Sequence, residues 1–209
     1  IYVRSLYIVL SGIMKYNIWT LKLNFRISSV APPFCYNLYM YNFQKQNSEQ
    51  TLREGLEEFY SINTQFRDLA EKDNPNAHIF KEHDYTHVLF GLGTSIEEES
   101  VLDTYVIWGM KFNWGKIINF YKDPEYKEVI GNIVQKHGGY WGIFKIYMSL
   151  MPVKFRVFLR CLNMKKKWNY HDISEEMLNT KLCNLRQEYN IELIPLKHIP
   201  INRYSSKSL

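Results

Sequence analysis

Apolar positions along most of this chain recur with the helical period of 3.6 rather than the strand period of two. Leu52, Leu56, Phe59 and Tyr60 follow Asn47-Ser48 and share one face of a predicted helix. The segment 73–75, Asp-Asn-Pro, breaks the chain ahead of a second helical stretch from about Ala77 to Phe90. Gly91-Leu92-Gly93-Thr94-Ser95 interrupts that stretch. Both Thr94-x-x-Glu97 and Ser95-x-x-Glu98 read as capping boxes, so a new helix is expected near Ile96, with Val101, Tyr105, Trp108 and Phe112 as its apolar face. Asp123-Pro124 reads as a helix start and Gly138-Gly139 as the matching stop. Asp172-x-x-Glu175 opens the last helix, which runs to about Tyr189. Alternation of period two is confined to residues 38–43, with Tyr39, Tyr41 and Phe43 on one side. The pattern predicts an all-α protein, a single compact multi-helix bundle. Its body spans 48–192, between an N-terminal segment 1–47, packed on the body or close to a membrane, and a C-terminal tail 193–209.

Composition narrows the class. The 209 residues are 46% hydrophobic, 22% charged and 16% aromatic, which excludes disorder, collagen and coiled coil. A mean hydropathy of −0.32 excludes a polytopic membrane protein. The longest uncharged run, 27–44, contains Pro32-Pro33 and several Ser and Asn, so no transmembrane helix is expected. The apolar stretch 5–14 after Arg4 resembles a signal core but lacks a small-residue cleavage site. Cys35, Cys161 and Cys183 are isolated, which points to a reducing compartment.

The candidate chemistry lies at His83-Asp84-Tyr85-Thr86-His87. Residues i and i+4 of a helix share a face about 6 Å apart, so two imidazoles so placed can reach one ion. If 91–95 reverses the chain, residues equidistant from Gly93 lie opposite one another: Glu99 faces His87, and Asp103 faces His83. The hairpin predicts a metal cluster of His83, His87 and Glu99. Asp84 joins as ligand or neighbour, and Asp103 as an acceptor for the outer N–H of a ligating histidine. Imidazole with carboxylate suits Zn²⁺, and an open fourth position makes the ion a Lewis acid.

The string His83-Asp84-x-x-His87, eleven residues, then Glu99 resembles the signature of the coenzyme Q biosynthesis protein 4 family, as do Gly91 and Thr94. Looser similarity covers residues 48–192, including 50–56, Asn63, Trp168 and the segment 182–191. Glu98 stands where the family commonly has Gly. The resemblance implies an all-helical fold, a divalent metal held by His83, Asp84, His87 and Glu99, and association with membranes and isoprenoid lipids. It also implies a place beside other quinone-biosynthesis enzymes, as scaffold or as catalyst of oxidative decarboxylation at C1 of a polyprenylated benzoate; in the catalytic version Asp84 is expected to act as a proton relay.

Charge fits a membrane-facing side. Of the net +5, residues 1–140 contribute a slight acidity (14 Lys/Arg against 16 Asp/Glu) and residues 141–209 a strong basicity (12 against 5). In that last third Phe144, Tyr147, Met148 and Met151 fall at helical spacing, Phe155, Phe158 and Leu159 continue past Pro152, and Lys165, Lys166 and Lys167 cluster. A basic segment rich in Phe and Met can lie on an anionic bilayer or line a groove for an isoprenoid chain. No RNA- or DNA-binding motif accompanies the lysines, so no nucleic acid is expected. The expected function is that of a metal-binding, peripheral-membrane protein of ubiquinone biosynthesis, compatible with a homodimer. Its expected place is the cytoplasmic face of a bacterial inner membrane or the matrix face of the mitochondrial one. The alternatives are a soluble metal-dependent hydrolase, disfavoured by the short arm of Asp84 as a base, and an isoprenoid-lipid-binding protein without catalysis.

Overall fold

Side-chain caps at Thr51, Ser95 and Ser174 start helices in the structure, a computed structural model that describes residues 40–71, 77–111 and 131–200. Helix α1 (Leu52–Ile62) starts at a capping box: Thr51 Oγ1 accepts from the Glu54 amide, and Glu54 returns a carboxylate oxygen to the Thr51 amide at 2.7 Å. It is followed by α2 (Thr64–Glu71) and α3 (Ala77–Phe90). Of the two candidate caps ahead of α4 (Ile96–Gly109), Ser95 is the one used, without the reciprocal half of a capping box. The Ser95 hydroxyl accepts from the Glu98 amide. The Glu98 carboxylate turns back into the loop, accepting from Gly93 N and Ser95 Oγ, both at 2.8 Å. Gly91 ends α3 because it takes a left-handed φ of 64°.

Residues 131–136 are helical and stop ahead of Gly138 and Gly139, both at positive φ, as expected. A further helix begins at once, α5 (Gly139–Ser149), then α6 (Met151–Leu162), with Pro152 in its first turn where a missing N–H costs nothing. The chain closes with α7 (Glu175–Leu178) and α8 (Leu182–Tyr189), and single 3₁₀ turns stand at Asn42–Gln44 and Leu196–His198. Among the described residues there is no strand, only the isolated bridges Thr51–Lys181 and Met110–Trp168. The fold is all-α.

Two expectations change. Helix α4 is buried on every side from Glu97 to Val106, so it has no single apolar face, and Trp108 is 48% exposed. Tertiary packing of α3, α5 and α6 around it overrides the amphipathic reading. The final helix is two, capped by Ser174 rather than Asp172, because the segment before α1 takes the backbone groups a continuous helix would use: Thr180 O accepts from Leu52 N and Leu182 N donates to Gln50 O. Asn42–Gln44, at the end of the short alternating stretch, form a 3₁₀ turn, in keeping with an all-α chain. Tyr39, Phe112, Asp123-Pro124, Cys35 and the break at 73–75 lie outside the described residues. Cys161 and Cys183 are both free thiols.

Residues 40–47 and 193–200 belong to the same packed body as the helices: Phe43, Leu193, Ile194 and Ile199 are buried. A single side chain ties much of this together. Arg186, 1% exposed, donates to the carbonyls of Phe43, Lys45, Gln46, Val88 and Leu89. Val88 and Leu89 lie in the last turn of α3, whose carbonyls carry the negative end of the helix dipole. Gly55 lets α1 approach α3 closely, since a Cβ there would stand 2.6 Å from Val88 Cγ1. No helix of the described residues is long and apolar enough to cross a membrane.

Candidate metal centre

The hairpin of α3 and α4 brings His83, His87 and Glu99 together, with one donor atom from each within 4.8 Å of the others. His87 Nε2 lies 3.2 Å from Glu99 Oε1, and His83 Nε2 lies 3.9 Å from Glu99 Oε2. Both rings turn their other nitrogen outward to an acceptor: His87 Nδ1 to the Leu92 carbonyl at 3.3 Å, His83 Nδ1 to Asp84 Oδ1 at 3.4 Å. An Nδ1–H donated to such an acceptor fixes the tautomer and leaves Nε2 as the inward lone pair. The two rings meet edge to face at 4.6 Å, and Phe59 of α1 stacks on His87 at 5.2 Å.

Asp84 stands beside this triad. Its Oδ2 accepts from Tyr60 Oη at 3.0 Å, and its Oδ1 faces His83. Asp103 makes its hydrogen bond not to an imidazole but to Tyr147 Oη, at 2.6 Å. A contact with no sequence signal pins α3 from outside: His171 Nδ1 meets Glu82 Oε2 at 2.7 Å, one residue before His83.

Burial and mutual charge divide the protons unequally. Burial, reinforced by His87, pulls His83 down to about 3, so it is neutral near pH 7. Burial also pulls on His87, but the Glu99 carboxylate, its hydrogen bond and Asp84 outweigh it and raise the imidazole. Glu99 is lowered: the upward push of burial loses to His87 and His83. Burial lifts Asp84 to about 7 against the opposing pull of His87 and Tyr60. Burial and mutual charge therefore favour a proton on His87 and the anion on Glu99, beside a neutral His83. Glu99 Oε2 is buried and receives no hydrogen bond among the described residues.

Two imidazole nitrogens and a carboxylate, buried and convergent with one oxygen left over, are a donor set that can hold a metal ion. A divalent ion with bonds of about 2 Å spaces its donors by roughly 3.3 Å, the separation His87 and Glu99 already have. Wherever His87 carries a proton, metal binding must expel it. Affinity should therefore fall by about tenfold per pH unit below the raised His87 pKa and level off above it. Competition against a chromophoric chelator over roughly pH 5 to 9 reads that slope; an affinity flat with pH would rule out His87 as the displaced acid.

The C-terminal third divides. Met148, Met151 and Phe155 are exposed (40%, 51% and 60%), with Tyr140, Trp141, Leu159 and Leu162 also open on α5 and α6. Phe144 and Phe158 are half-buried, and Tyr147 turns into the core. Lys165 is exposed. Lys166 pairs with Glu188 and lies over the Tyr189 ring, while Lys167 folds back onto the Trp108 and Cys161 carbonyls. Comparison with family models, curated proteins and solved structures finds no match for the chain.

Proposed function

We propose that this protein is a zinc-binding, membrane-peripheral component of ubiquinone biosynthesis. It holds a polyprenylated benzoate precursor and either presents it to partner enzymes or removes its C1 carboxylate. The observation that carries this reading is the closure of His83, His87 and Glu99 into one buried donor set at the spacing that resembles the coenzyme Q biosynthesis protein 4 signature. The exposed Met148, Met151 and Phe155 beside Lys145 and Arg156 support a lipid-facing side.

When bound, zinc would supply a Lewis acid for a head-group carboxylate. The chain's own residues do the rest. His83 and His87 fix the ligand geometry through their outward Nδ1 contacts. Asp84, lifted to about 7 and held by Tyr60, can take or return a proton at Oδ1. Phe59 and the buried wall of α4 keep bulk water away.

Purified zinc-loaded protein given a short-chain prenylated hydroxybenzoate labelled at its carboxyl carbon tests both versions. Released labelled CO₂ that disappears in Asp84→Asn establishes the catalyst, and tight binding without release establishes the scaffold. Hydrolysis of peptides or phosphoesters that chelator abolishes, with no binding of the prenylated acid, would replace this reading by a hydrolase.

A further inference from the structure

One helical turn beyond Glu99, α4 carries a second buried carboxylate. Asp103 is 3% exposed and lies about 6 Å further along the same face. Tyr147 of α5 occupies its Oδ2, but among the described residues nothing donates to the buried Oδ1, and the neighbouring buried Thr104 hydroxyl has no hydrogen-bond partner there either. Lys154 enters from α6. Its Nζ donates to Ser100 Oγ at 3.1 Å and sits 4.1 Å from the centre of the Tyr147 ring. Asp103 is the carboxylate whose charge acts on Lys154, yet among the described residues none stands in ion-pair contact with the amine.

Buried polar atoms in native proteins are nearly always matched, because an unmatched one costs its full desolvation. Among the described residues, an acceptor here lacks a donor, and a three-donor ammonium has one hydrogen bond and one aromatic face. Both stand a turn away from a metal donor set. Burial pulls Lys154 down to about 8 against the Asp103 charge, so at neutral pH it is still a cation. Burial lifts Asp103 to about 7 against Lys154 and Tyr147.

We propose that Asp103, Tyr147 and Lys154 form a ligand-holding subsite of the metal centre, in which Lys154 receives an ionised oxygen of the ligand and Asp103 Oδ1 accepts from a ligand hydroxyl. Tyr147 is a positioning residue: it fixes the Asp103 carboxylate so that Oδ1 faces the ligand. The chemical class selected is an organic acid that also carries a hydroxyl, read at two points. The subsite deepens the metal-centre reading above and rests on it for the ligand's third contact.

Calorimetric titration of zinc-loaded protein with para-hydroxybenzoate, benzoate and phenol tests the subsite, with zinc content and thermal melting recorded for every variant. Wild type should bind para-hydroxybenzoate more tightly than either simpler probe. Lys154→Met should weaken both carboxylate probes by about 10-fold or more and leave phenol within about 2-fold. Lys154→Arg should retain the carboxylates. Asp103→Asn, an isosteric change that reads the other contact, should erase the preference for para-hydroxybenzoate over benzoate. Equal benzoate affinity in wild type and a folded Lys154→Met overturns the proposal, as does an unchanged hydroxyl preference in Asp103→Asn or no carboxylate binding by wild type. If wild type takes up no zinc, the metal reading fails by itself. The same titrations on the metal-free protein then decide the subsite on the Lys154 and Asp103 differences alone.

Discussion

Arg186→Met is expected to cost at least about 4 kcal/mol of folding free energy, a large fraction of the total for a domain of this size. The guanidinium makes five hydrogen bonds, all to backbone carbonyls, and they come from the 43–46 turn and from the last turn of α3. Met fills the volume but donates nothing, so those carbonyls stay buried beside a thioether. The variant also escapes the cost of burying a cation, seen in the lowering of Arg186 to about 10 by burial, so the loss stays well below a sum over five bonds. Lys keeps the charge but cannot span carbonyls that diverge around a planar fork, so Arg186→Lys should fall between the two. Urea denaturation followed by far-ultraviolet circular dichroism reads the difference. An unchanged midpoint would mean that water satisfies those carbonyls as well as Arg186 does.

His87→Ala should reduce bound zinc from about one equivalent to near none, a loss of affinity exceeding about 100-fold. Glu99→Gln should do the same, since the amide keeps the shape but loses the anion. Asp84→Asn separates two roles for its carboxylate. As the outer partner of His83 Nδ1 it should cost about 10- to 100-fold, whereas a ligand would cost as much as His87. Mass spectrometry of the native protein, with inductively coupled plasma measurement of zinc, checks all three. No stoichiometric metal in the wild type would remove the centre altogether.

The helical hairpin was legible because its signals are local. Gly91 has to take a left-handed φ, Ser95 has to cap, and between them they fix where α3 stops and α4 starts. Once the turn is placed, equal spacing about Gly93 suffices to bring His83 and His87 to Glu99. What was hidden depends on how helices rotate against one another. Tyr60 reaches Asp84 across 24 residues and Tyr147 reaches Asp103 across 44, and no periodicity announces either pair. Asp103 was expected to serve a histidine, but α5 and α6 pack against that face of α4 and supply Tyr147 and Lys154 instead. The basic run 165–167 read as three equivalent lysines, yet Lys167 serves the carbonyls at the end of α4 and α6. The break between α7 and α8 was invisible for the same reason, since it is imposed by pairing with the segment before α1.

The unequal exposure of the two histidines bears on how fast an ion can come and go. The His87 side chain is 0% exposed, that of Glu99 10% and that of His83 14%, and α3 is buried from Asp84 onward but half-open before it. The donor atoms His83 Nε2, His87 Nε2 and Glu99 Oε2 are all buried, so an ion or a chelator would approach from the side of His83, the most exposed of the three residues. Loading and release would then depend on brief local opening of the first turns of α3, a lifetime property that tight binding at equilibrium neither requires nor reveals.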